Sequence, residues 1–237
     1  MGIFISSFCT CLGAMPVLLI KNVSHKGKDI LLAFTAGIMV SASAYGLIPS
    51  ALKLSNMVVL VVGILAGTLV LMLLESSLPH MDLDHSLSVP NRSSTLLFLT
   101  AMSLHNLPEG LSVGISNISD AQELGAVVSF AIGLQNIPDG FLVALFLLTQ
   151  GVSRVQAIFL ATLTGVVEFL SGLIGLYFGG SFTYIIPYGL AFAAGAMLFV
   201  VYKELIPESH GDGNERAATL AFIIGFLTMF SLTEILR

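Results

Sequence analysis

Charge is the scarcest thing in this sequence. Only 23 of its 237 residues are Lys, Arg, Asp or Glu, which is 10%, whereas a soluble domain carries roughly a quarter. So few charges cannot cover the surface of a water-soluble globule. Hydrophobic residues make up 56% of the chain, which excludes a disordered protein. Trp is absent, and the two cysteines do not make a disulfide framework. Nine basic against fourteen acidic residues give a net charge of −5, the wrong sign for a nucleic-acid partner. With a mean hydropathy of +0.97, the class that remains is a helical protein of the lipid bilayer.

What is present is apolar sequence in long runs. Cut at clusters of Lys, Asp, Pro, Asn and Gly, it yields eight runs of about bilayer length: 2–20, 30–52, 57–78, 95–117, 122–149, 154–178, 182–206 and 216–236. Lipid offers backbone polar groups no partner, so each span is expected to be a helix. The longest connection, PHMDLDHSLSVPNRSS at 79–94, is polar, and no linker divides the chain. The expectation is one transmembrane domain over residues 1–237. Span 1 lacks a basic flank and is read as a retained helix rather than a cleaved signal. The start MGIFIS fits the myristoylation pattern only loosely, and the orientation argues against that modification.

The basic residues set that orientation. Lys21, Lys26, Lys28, Arg92, Arg154, Lys203 and Arg216 fall on one side of the bundle, leaving Lys53 and Arg237 for the other. The first side is expected to be cytoplasmic, with both termini outside. His25, His80, His85 and His210 lie on that cytoplasmic side, while His105 sits mid-span.

Two repeats run through the chain. Ala33, Phe34, Ala36, Gly37, Met39, Leu47, Ile48 and Pro49 of span 2 recur in span 7, each 158 residues later. Spans five apart cross in opposite senses, which is the signature of an inverted repeat. LHNLPEGL (104–111) in span 4 matches LQNIPDGF (134–141) in span 5, 30 residues later. A two-fold axis in the membrane plane would relate span 4 to span 5 and spans 1–3 to spans 6–8.

The second repeat places polar chemistry at mid-membrane. His105, Asn106 and Glu109 share one helical face by their three- and four-residue spacings, and Gln135, Asn136 and Asp139 repeat the set. Pro108 and Pro138 lack an N–H and free the carbonyls of Leu104 and Leu134. Gly110 and Gly140 would let spans 4 and 5 approach closely. Glu168 adds a third carboxylate in span 6. A carboxylate at the bilayer centre costs about 2.5–3.5 kcal/mol on insertion scales, so three of them point to a function. A divalent cation would keep them ionised. One imidazole among carboxylate and amide oxygens suits Zn²⁺, and also Fe²⁺, Mn²⁺ or Cd²⁺. It does not suit thiolate-seeking Cu(I), or all-oxygen Mg²⁺ and Ca²⁺.

Other groups are weaker candidates. Glu204 and Glu208, four apart near the inner end of span 7, form with His210 a candidate exit relay, against which stand ordinary solvated helix-end charges. Lys203 beside them would repel a cation unless it pairs with Glu204. His80, Asp82, Asp84 and His85 form a candidate metal-holding loop at the inner mouth, or simply a hydrophilic loop. Ser41, Ser43 and Ser103 are read chiefly as small packing residues, Cys9 and Cys11 as buried small residues, and Glu234 as interfacial.

HNLPEG in a fourth span, QNIPDG in a fifth, a Glu in the sixth and KELIPES closing the seventh resemble the ZIP (Zrt/Irt-like) family of divalent metal transporters, in its GufA-like branch. The resemblance covers all eight spans. It implies a 3+2+3 bundle with a metal site between spans 4, 5 and 6, ligated by His105, Asn106, Glu109, Gln135, Asn136, Asp139 and Glu168. It further implies import toward the cytoplasm, an elevator-like movement and a homodimer. Close relatives can hold two neighbouring ions there. This sequence departs from them at Asn136, where some relatives carry a carboxylate, at Asp139, where Glu is usual, and at Lys203, where some carry His.

The expectation is therefore an all-α polytopic membrane protein that carries zinc into the cell across the plasma or inner membrane. A passive metal channel with the same ligands is the alternative. An intramembrane metalloenzyme would need an HExxH-type site, which does not occur.

Overall fold

The computed structural model describes residues 1–19, 24–76, 92–118, 122–211 and 213–235. Among these the chain forms eight helical rods and no strand. They are α1 (Gly2–Leu18), α2 (His25–Leu54), α3 (Met57–Ser76), α4 (Arg92–Ser116), α5 (Gln122–Thr149), α6 (Arg154–Ser181), α7 (Thr183–Ser209) and α8 (Glu215–Ile235). Six are long and apolar enough to cross a bilayer on length and composition alone; α1 is shorter, and α4 is not among the six. The polar residues that α4 carries at its centre dilute its hydropathy. The protein is an all-α polytopic membrane protein.

The boundaries follow the apolar runs, with one clear shift. The second helix begins at His25, not residue 30, because Ser24 caps it: the Gly27 N–H donates to Ser24 Oγ at 3.2 Å. His25, Lys26 and Lys28 therefore lie in the first turn and a half of α2 rather than in a loop.

The packing divides the rods into two groups of four. In one, α4 packs on α6, α1 on α5, and α1 on α6, with α4 against α5. In the other, α2 packs on α8 and α3 on α7. The groups meet where α2 touches α5 and α7 touches α4. Each of these contacts has its counterpart under exchange of α1–α3 with α6–α8 and of α4 with α5.

Glycine contacts carry the same correspondence. A Cβ on Gly37 would collide with the Phe222 carbonyl, and one on Gly225 with that of Phe34. At the α3–α7 contact a Cβ on Gly195 would collide with the Ile64 carbonyl, and one on Gly67 with that of Phe192. The four residues Phe34, Gly37, Ile64 and Gly67 map onto Phe192, Gly195, Phe222 and Gly225 at the same 158-residue offset. With no side chain in the way, backbones meet closely and dispersion replaces the hydrophobic drive that lipid does not supply.

Both repeated helices also contain a π-helical turn, at Ala42–Leu47 in α2 and Val201–Leu205 in α7. Each turn lies just before a proline, Pro49 in α2 and Pro207 in α7. A proline ring clashes with the carbonyl four residues earlier, here Tyr45 or Lys203, each inside its π-turn. Widening the turn moves that carbonyl away. α4 and α5 run unbroken through Pro108 and Pro138.

Candidate metal site

The site lies where α4, α5 and α6 meet, with α1, α2 and α7 behind them. Gly110 and Gly140 are what bring the flanking helices in. A Cβ on Gly110 would strike Ser171 Oγ and the Glu168 carbonyl of α6, and one on Gly140 the Thr10 carbonyl of α1. The sequence expectation that these glycines join α4 to α5 is therefore corrected. They seat α4 on α6 and α5 on α1.

His105 and Glu109, one turn apart on α4, and Asp139 of α5 each offer a ligand atom, and these lie within 4.8 Å of one another. His105 Nε2 is 3.5 Å from Glu109 Oε1. His105, Asn106, Glu109, Gln135, Asn136, Asp139 and Glu168 are all at most 5% exposed. Gln135 Nε2 donates to Glu109 Oε1. Asn136 Nδ2 donates to Glu168 Oε2 at 2.8 Å and to the Ser6 carbonyl of α1 at 2.9 Å. Thr35 of α2 lies beside Asp139, its hydroxyl buried without a hydrogen-bond partner among the described residues.

Six buried polar atoms of this cluster have no hydrogen-bond partner among the described residues. They are both ring nitrogens of His105, Glu109 Oε2, Gln135 Oε1, Asp139 Oδ2 and Glu168 Oε1. An orphaned buried polar atom costs about 1–3 kcal/mol, more when charged. Apart from the imidazole, which has one N–H, all of these are acceptors. One divalent cation could take one His105 nitrogen together with the oxygens of Glu109, Gln135 and Asp139.

The proposed relay is brought together only in part. Glu204, in the π-turn of α7, places Oε2 4.0 Å from His105 Nδ1 and keeps its side chain 39% exposed. His105 thus stands between Glu109 on one side and Glu204 on the other. Lys203 is exposed and Glu208 half-buried. His210 folds back on its own helix, with Nδ1 2.9 Å from the Ile206 carbonyl and 3.0 Å from Ser209 Oγ. His80, Asp82, Asp84 and His85 lie outside the described residues. Ser103 donates to the Leu99 carbonyl of its own helix, while the hydroxyls of Ser41 and Ser43 are buried without a partner among the described residues. Cys9 and Cys11 are free and only half-buried, contrary to the reading as buried residues.

Comparison with known proteins decides the family. The profile of the ZIP Zinc transporter family matches residues 80–233. The chain is 38% identical over 233 residues to "Zinc transporter GufA" of Myxococcus xanthus, covering 92% of this chain and 91% of that one. The chain belongs to the ZIP family. It is also 33% identical to "Zinc transporter ZIPB" of Bordetella bronchiseptica, covering 94% of this chain and 76% of the relative. The human "Zinc transporter ZIP11" matches at 39% identity over 57% of this chain. Membership of a transporter family sets the chain apart from enzymes.

Two contributors escaped the sequence reading: the Ser6 carbonyl, which anchors Asn136, and Thr35 beside Asp139. Ser6 had no signal, since a backbone carbonyl is the same in every residue. Thr35 had a faint one, as a hydroxyl two residues from Gly37 in a repeated apolar stretch.

Proposed function

We propose that this ZIP protein carries a divalent transition metal, zinc first, across the membrane through a site at His105, Glu109 and Asp139. The observation that carries the proposal is the convergence of those three ligand atoms within 4.8 Å, buried and with unpartnered acceptors. The Gln135 carbonyl oxygen supplies a fourth donor, since its amide nitrogen is already committed to Glu109. Four donors, one of them imidazole, fit the tetrahedral preference of Zn²⁺, and Fe²⁺, Mn²⁺ and Cd²⁺ fit the same donor types.

Each donor has an assigned task. The Gln135 amide holds Glu109 Oε1 in place and leaves Oε2 for the ion. His105 binds the ion through one ring nitrogen while the other points toward Glu204. With the basic residues on the cytoplasmic side, Glu204 lies inward of His105, and its half-exposed carboxylate receives the ion on the way out. A membrane potential of 100 mV, negative inside, favours inward movement of a 2+ charge by roughly 4.6 kcal/mol, twice the single-charge value. The homodimer and the plasma or inner membrane location are part of the same proposal.

The test is ⁶⁵Zn uptake into proteoliposomes. Wild type is expected to accumulate zinc saturably, and the double variant His105→Ala/Glu109→Ala is expected to take up none above empty liposomes. Undiminished uptake by the double variant would sink the assignment.

A further inference from the structure

We infer that the site holds a single ion, because the Asn136 amide takes the place that a second cation would occupy on Glu168. The inference rests on the metal site proposed above and fixes its occupancy.

Asn136 Nδ2 sits between two oxygens, Glu168 Oε2 at 2.8 Å and the Ser6 carbonyl at 2.9 Å. An Asn amide can be placed either way round from density alone, and the network decides it. Here the network allows one answer. The Ser6 carbonyl is an acceptor whatever the conditions, and a carboxylate oxygen is an acceptor when ionised. Turning the amide over would set Asn136 Oδ1 against both. The NH₂ group therefore faces Glu168, and its two hydrogens serve the two oxygens.

That orientation sets hydrogens, not an oxygen, against Glu168, and a cation between the two would have to turn the amide and break its bond to the Ser6 carbonyl. An amide nitrogen has its lone pair delocalised and points positive hydrogens outward, so a metal there would meet a donor, not a ligand. Glu168 receives partial positive charge from the N–H instead. Burial makes this contact strong, because Asn136 is 1% and Glu168 0% exposed.

The charge count agrees. Glu109 and Asp139 together balance one 2+ ion bound with neutral His105. Glu168 is not a member of that trio. The repeat offers nothing to replace it, since the residue 158 before Glu168 is Thr10. A second 2+ ion would have Glu168 Oε1 and only the Asp139 oxygen that the first ion leaves free, and it would meet the Asn136 N–H.

Asn136 is thus a positioning residue that sets stoichiometry, and the readout is a count of bound zinc. Purified full-length protein in detergent is titrated with ZnCl₂ by calorimetry, and metal retained after desalting is measured by mass spectrometry. The quadruple variant His105→Ala/Glu109→Ala/Asp139→Ala/Glu168→Ala, which lacks the ligands of both conceivable ions, supplies the background, including any zinc held by the His80–His85 stretch. Above that background, wild type is expected to bind one zinc. Asn136→Asp, which removes the donor and adds an oxygen ligand, is expected to bind two. Two zinc ions on wild type above that background would overturn the inference. So would one zinc on a monodisperse Asn136→Asp protein. Wild type no higher than the quadruple variant would instead overturn the metal site itself.

Discussion

The two four-helix groups obey the same repeat and use it differently. In α2, α3, α7 and α8, the contact of α2 with α8 is copied in that of α7 with α3, glycine for glycine and carbonyl for carbonyl. In α1, α4, α5 and α6 the backbone contacts are copied too, Gly110 on Glu168 and Gly140 on Thr10, yet the side chains are not. His105 corresponds to Gln135, Glu109 to Asp139, and Glu168 to Thr10. Backbone packing tolerates two-fold symmetry because both copies solve the same problem in lipid. The candidate ion site draws on different donors from the two halves, so the copied positions carry different side chains.

The largest effect expected from breaking this comparison is at the asymmetric donors. Removing Glu109 or His105 singly should weaken zinc binding at least as much as loss of an outer partner, which costs on the order of 10–100-fold; calorimetry on purified protein measures it. The next effect is on the symmetric scaffold. Gly37→Val and Gly195→Val each force a side chain into a helix contact, and overpacking costs about 1–3 kcal/mol. Both should lower the midpoint of thermal unfolding by similar amounts and leave zinc affinity unchanged. A large drop in one and none in the other would break the symmetry argument.

A third, smaller effect separates binding from passage. Glu204→Gln keeps the four donors and removes the carboxylate 4.0 Å from His105. Zinc affinity in detergent should change little while uptake into proteoliposomes slows severalfold; unchanged uptake would remove Glu204 from the route. The smallest effect concerns a point where even the scaffold is not copied. Thr68 Oγ1 donates to the Gly195 carbonyl at 3.2 Å, whereas its counterpart, Phe226, stacks edge-on against Tyr45 with ring centroids 5.8 Å apart. Thr68→Val should lose about 1 kcal/mol of stability, seen as a slightly lower unfolding midpoint, and nothing in transport.

The eight spans were legible because lipid suppresses polar residues so strongly that the few exceptions stand out. His105, Glu109, Asp139 and Glu168 could be named from the sequence for that reason. The start of α2 was misplaced because Ser24 caps a turn containing two lysines, which hydropathy scores as loop. The partners of Gly110 and Gly140 were misjudged because spacing gives a face but not what lies against it. The π-turns were hidden, since Pro49 and Pro207 announce a distortion without saying which kind. The direction of the Asn136 amide depends on the Ser6 carbonyl, 130 residues away, and no local pattern encodes that contact.

The central claim is one ion at the unsymmetrical centre of a symmetric scaffold, and an anomalous-scattering map of zinc-soaked crystals tests it most directly. The account predicts a single peak at the centre of the bundle, about 2.0–2.2 Å from a His105 nitrogen and from oxygens of Glu109 and Asp139. A second peak of similar height between Asn136 and Glu168, or no peak within reach of His105, would contradict it.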